Sequence, residues 1–68
     1  MKNTILRLKD VKNKTGLARS TIYLCISQGT FPKQISLGDR AVGWIEHEIE
    51  EWISNQIKQS RGVKKYKH

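Results

Sequence analysis

The stretch that decides the fold is LKDVKNKTGLARSTIYLCISQGTF, residues 8–31. Its first half predicts a short polar helix over about Lys9 to Lys14, with Val11 turned inward and Lys12 and Lys14 outward. Asp10 in the first turn suits the positive end of the helix dipole. Thr15-Gly16 ends this helix, because glycine takes the left-handed backbone that a sharp turn needs. Leu17 is then the apolar plug between two helices. The second helix should run from Ala18 or Arg19 to Ser27 or Gln28 and stop at Gly29. Ile22, Cys25 and Ile26 fall at helical spacing and make its buried stripe. Arg19, Ser20, Tyr23 and Ser27 fall off that stripe, Thr21 lies at its border, and Leu24 is left largely exposed. Two such helices joined by a tight turn read as a helix-turn-helix.

Downstream, Phe31-Pro32 turns the chain into an extended conformation. Ile35 to Leu37 and Ala41 to Trp44 read as two strands around Gly38-Asp39-Arg40, a hairpin with Arg40 at its tip. Alternation places Ile35 with Leu37 on one face, and Val42 with Trp44 on one face. Upstream, Ile5 to Leu8 alternates weakly and fits a short strand. The last helix should begin near Glu46 or His47 and reach about Gln59. Ile45, Ile49, Trp52, Ile53 and Ile57 recur at its apolar spacing. The fold class is therefore α+β: a small winged helix-turn-helix of three helices with a two-stranded β-hairpin wing. Residues 1–60 form that domain, and residues 61–68 form a basic, disordered tail with little to pack.

Charge follows the same division. The net charge is +7. Residues 1–40 hold eight Lys/Arg against Asp10 and Asp39. Residues 45–57 hold Glu46, Glu48, Glu50 and Glu51 without a base, and residues 58–68 hold five Lys/Arg. Basic charge kept apart from acidic charge is what binding a polyanion requires. One cysteine gives no intramolecular disulfide, and His47 and His68 are too few and too far apart to argue for a metal. No nucleophile, base and orienting group can be assembled, so no enzyme, catalytic residue or cofactor is expected. No secretory leader or membrane-spanning run is recognisable, which makes the cytoplasm the expected compartment. Trp44 and Trp52 lie on apolar faces and read as core.

The candidate contact residues follow from this arrangement. A helix entering a major groove uses the side chains at its N-terminal end to touch base edges. Arg19 opposes the dipole where it stands, so a contact explains it better than helix stability does. Ser20, Thr21 and Tyr23 are hydrogen-bonding companions on the same helix. Arg40 at the wing tip and Lys33 before the wing are candidates for phosphate contact, as are Lys12 and Lys14 on the first helix. A module this small reads few base pairs, so useful specificity needs several copies on repeated or bent sites. The oligomeric state itself is not legible.

Five blocks of sequence carry a family resemblance: RLKDV at 7–11, TGLARSTIY at 15–23, GTFPK at 29–33, LGDRAVGW at 37–44 and ExxxWI at 48–53. In this order and spacing the chain resembles the AlpA family of small phage and prophage regulators, within the winged-helix excisionase/MerR-like group. Three positions depart from the family pattern. Ala18 stands where Ser would cap the second helix, Leu24 where a basic residue is frequent, and His47 where Ser is common. The resemblance implies a cytoplasmic protein of a mobile element that binds double-stranded DNA. It also implies control of a neighbouring integrase gene or action as an excisionase, with phage integrase as a further partner. The competing reading is a protein adaptor that docks an integrase or polymerase subunit and has only incidental DNA affinity.

Overall fold

In the computed structural model, which describes residues 3–62, the chain folds in the order β1 (Ile5–Leu6), α1 (Leu8–Thr15), α2 (Arg19–Ser27), β2 (Ile35–Gly38), β3 (Ala41–Ile45) and α3 (Glu46–Gly62). The α1–α2 corner is built by local hydrogen bonds. The Asp10 carboxylate accepts the Arg7 backbone N–H at 3.1 Å and so satisfies one donor at the start of α1. At its other end Gly16 takes φ 74°, and its N–H returns to the Lys12 carbonyl at 2.8 Å. The Thr15 hydroxyl donates to the Val11 carbonyl at 2.8 Å and accepts the Leu17 N–H at 3.2 Å. Thr-Gly-Leu thus fixes the direction in which the chain leaves α1.

α2 starts without a side-chain cap, since Ala18 is extended and offers no oxygen. Its C-terminus is closed more firmly. The Gly29 N–H reaches the Ile26 carbonyl at 3.0 Å and the Thr30 N–H reaches the Cys25 carbonyl at 2.9 Å, with Gly29 at φ 77°. This is a Schellman closure, which uses the left-handed conformation that glycine adopts without a Cβ penalty.

The sheet has three strands in the order β1-β3-β2, all antiparallel. The expected hairpin is present, and the weakly alternating N-terminal segment adds a third strand beside it. Ile5 faces Ile45 and Leu6 faces Trp44. On the other side Ile35 faces Gly43 and Ser36 faces Val42, but Gly38 rather than Leu37 faces Ala41. Leu37 is the extra residue of a β-bulge. Register therefore divides the sheet into an inner face, holding Leu6, Val42 and Trp44, and an outer face, holding Ile5, Ile35, Gly43 and Ile45.

The core lies on the inner face. Leu6, Val11, Ile22, Phe31, Trp44 and Ile49 are buried, with Leu8, Leu17, Tyr23, Cys25, Ile26, Trp52 and Ile53 packed around them. Of the expected α2 stripe only Ile22 is fully buried, while Cys25 and Ile26 are half-buried at its margins. The α3 pattern also needs a correction. Ile57, its last apolar member, is 46% exposed, and every residue from Ser54 to Gly62 is exposed. The helix outruns the small body it packs on, so its spacing continues where there is nothing left to cover. Arg61 and Gly62, assigned to the tail by sequence, are the last residues of α3; the rest of that tail, residues 63–68, lies outside the described residues.

At Gly43 both flanking strands crowd the centre of β3. A Cβ there would lie 2.6 Å from Ile5 Cγ2, 3.0 Å from Leu37 Cδ1 and 3.0 Å from the Leu6 carbonyl oxygen. The backbone oxygen cannot move without disturbing the β1–β3 ladder. Gly43→Ala is therefore expected to cost about 1–3 kcal/mol in urea unfolding. Ile57→Ala, on the overhanging helix, should change stability by less than about 0.5 kcal/mol.

Candidate nucleic-acid interface

The candidate interface begins at the exposed start of α2. Residues 20, 24 and 27 follow one another at i, i+4 and i+7, so they share one helix face. Ser20, Leu24 and Ser27 are all exposed, and Ile22 on the opposite side is buried. This Ser-Leu-Ser stripe is the outward centre line of the helix. Arg19 and Tyr23 lie on its flank instead. The Arg19 guanidinium stands 6.0 Å from the centroid of the Tyr23 ring, a cation–π distance, and that ring lies 6.4 Å from the Trp44 ring at an interplanar angle of 60°. Arg19, Tyr23 and Trp44 thus form a series in which Tyr23 seats the middle of α2 against β3 and Arg19 lies over it from the start of the helix. Tyr23 is half-buried, with its ring packed against the core, and Thr21 is half-buried.

α2 bears no acidic residue. The Ser27 hydroxyl donates to the Leu24 carbonyl at 2.7 Å, which uses its proton and leaves its lone pairs to accept.

The lysines divide into two kinds. Lys12 is exposed on α1 and, among the described residues, is joined to no carboxylate. Lys14 reaches across to α3, its Nζ 3.7 Å from Glu46 and 3.8 Å from Glu50. Its charge is shared with two carboxylates, so it links α1 to α3 although its side chain stays exposed. Lys33 is exposed and lines a groove of about 600 Å³ between the 29–35 segment and α3. Glu48, Glu51, Trp52 and Asn55 form the α3 wall of that groove. Among the described residues, no three His, Cys, Asp or Glu side chains gather to hold a metal ion, and no helix is long and apolar enough to cross a membrane.

Residues 4–57 match the family model described as Prophage CP4-57 regulatory protein (AlpA). The chain belongs to the AlpA family. It is 50% identical over 60 residues to the DNA-binding transcriptional activator AlpA of Escherichia coli (strain K12), across 79% of this chain and 86% of that relative. It is 44% identical over 52 residues to the uncharacterized protein ORF88 of Enterobacteria phage P4, across 76% of this chain and 59% of the phage protein. The span that matches the AlpA family holds all eight candidate contact residues, and it ends before the last residues of α3.

Sequence reasoning placed Arg19, Ser20 and Arg40 on exposed surface, where the structure also has them. It did not bring Leu24 and Ser27 into the candidate set, although the helical spacing that buries Ile22 puts both on the outward side. Lys14 was set beside Lys12 because both alternate outward on α1; only the fold brings Glu46 and Glu50 up to it.

Arg40, exposed at the hairpin tip of this AlpA-family chain, adopts φ 59°, the left-handed conformation. A Cβ in that region costs roughly 1–2 kcal/mol. Arg40→Gly is expected to raise stability by up to about 1 kcal/mol, read as a higher urea midpoint at unchanged slope. A lower midpoint would show that the arginine side chain holds the turn together.

Proposed function

We propose that this chain is a sequence-specific, double-stranded-DNA-binding transcriptional regulator of a prophage or integrative element. In this reading α2 enters the major groove, the β2–β3 hairpin flanks it with Arg40, and Lys12 and Lys33 meet phosphates. The observation that carries it is the acid-free, exposed face of α2, opened by Arg19 and Ser20, in a chain of net charge +7. The name of the Escherichia coli relative, a DNA-binding transcriptional activator, points the same way. The four glutamates are kept elsewhere: Glu46 and Glu50 face Lys14, and Glu48 and Glu51 line the groove on α3, while Asp10 and Asp39 are the two acids of the basic half. Control of an adjacent integrase gene, or excision together with an integrase, is the specific role proposed on this basis.

The deciding measurement is a titration of the full chain, by fluorescence anisotropy, on duplexes from the element's own attachment and promoter regions. These should bind more tightly than scrambled duplexes, and affinity should fall steeply with salt. Equal affinity for scrambled DNA would sink sequence-specific readout. Arg19→Ala should weaken specific binding by roughly 5- to 150-fold, the range of one good base contact. The two lysines of α1 separate cleanly. Lys12→Ala should lower the salt slope by about one counterion, as loss of a phosphate contact does, and Lys14→Ala should leave the slope unchanged.

The adaptor reading, in which Leu24, the acidic helix and the tail dock a protein partner, draws on the exposure of Leu24 and on the acidic groove between the 29–35 segment and α3. Regulation that survives Arg19→Ala after DNA binding is lost would favour it. Regulation lost together with DNA binding favours the DNA-binding role.

A further inference from the structure

Leu24 is the most exposed of the large apolar side chains among the described residues, at 55%, ahead of Ile57, Leu37 and Ile5. It does not stand on an overhanging helix end or a sheet rim. It occupies the middle of the outward stripe of α2, one turn from Ser20 on one side and three residues from Ser27 on the other. Its exposure is no defect of packing, because Ile22 already fills the buried side of the same turn. An isoleucine-sized apolar group held in water between two hydroxyls needs an apolar counterpart if the stripe is to bury itself on a ligand.

A DNA major groove offers one apolar group among its hydrogen-bonding edges, the C5-methyl of thymine. We propose that Leu24 is a specificity-determining residue that reads a thymine C5-methyl in the major groove. The inference rests on the reading of α2 as the groove-entering helix and deepens it. The geometry divides labour along the helix. Ser20 supplies a hydroxyl that donates or accepts, and Ser27, its proton given to the Leu24 carbonyl, presents acceptor lone pairs. Leu24 between them supplies methyl groups with no hydrogen-bonding capacity. It discriminates in two ways. Against thymine it removes two apolar surfaces from water. Against cytosine or adenine at that place it would bury an amino donor without a partner. The absence of acid on α2 means that nothing beside Leu24 repels the phosphates that must pass on either side.

The test uses the full chain and duplexes selected by it from a random pool. Each thymidine in the preferred sequence is replaced singly by deoxyuridine, which removes the C5-methyl and leaves base pairing intact. For the unaltered chain, one replacement should weaken binding by about fourfold, the effect of one buried methyl group. Leu24→Ala should bind the thymidine duplex about as weakly as the unaltered chain binds the deoxyuridine duplex, and should be indifferent to deoxyuridine at that position. Leu24→Met, which keeps an apolar side chain of similar reach, should regain the sensitivity. Because Leu24 is exposed, its variants should keep the urea midpoint of the parent chain. Selective binding with no sensitive thymidine overturns the role of Leu24 and leaves DNA recognition standing. So does a Leu24→Ala variant that keeps the full deoxyuridine effect. Failure to select any preferred sequence overturns the recognition reading and the Leu24 role together.

Discussion

The arrangement of this domain depends on the burial of one indole. Trp44 sits in the central strand with no exposed surface, and its Nε1–H donates to the Pro32 carbonyl at 3.1 Å. That bond satisfies the one polar atom of the ring, so a large side chain is buried without an orphaned donor. Leu6 faces it from β1, and the Tyr23 ring packs against it from α2. One side chain therefore sets the distance between the sheet, α2 and the segment that leads into the hairpin. Among the described residues the core is six buried apolar side chains, and such a small core has little capacity to absorb a change at its centre.

The acids of α3 give the domain an electrostatic order that its net charge hides. Glu46 and Glu50 hold Lys14, while His47 and Glu51 lie 3.6 Å apart one turn away on exposed surface. Exposed pairs of this kind contribute little to stability. Their larger effect is on distribution, since they leave α2 as a face where positive charge stands without an acidic neighbour on its own element.

Much of this was legible in the sequence, and the limit is set by distance along the chain. Thr15-Gly16-Leu17 and Gly29 announced both turns because their physics is local: hydrogen bonds spanning a few residues and a backbone angle that suits glycine. The strong spacing of Ile49, Trp52 and Ile53 announced α3 for the same reason. What sequence could not supply were meetings between distant segments. The two-residue β1 is a strand only because β3 arrives beside it. The bulge at Leu37 shifts register without any change in alternation. Tyr23 read as outward because the helix spacing does not contain Trp44, and Lys14 read as free because it does not contain Glu46. Leu24 is the opposite case: its exposure was plain from the helical period, and its significance came only when the flanking serines were seen on the same line.

The second indole completes the way α2 is held. Trp52 on α3 donates to the Thr30 carbonyl, 2.6 Å away, just beyond the Schellman closure, and Phe31 meets its ring edge-on with centroids 4.8 Å apart. One tryptophan thus meets the middle of α2 through Tyr23, and the other fastens the segment that follows its end. The two differ in surroundings, Trp44 being wholly enclosed and Trp52 partly open to solvent. The domain consequently carries its own optical gauge. Emission from the enclosed indole lies to the blue and resists aqueous quenchers, whereas the open one emits to the red and is quenched. The blue and red components of its intrinsic fluorescence therefore report separately on Trp44 beside Tyr23 and on Trp52 beyond the end of α2, without an added label.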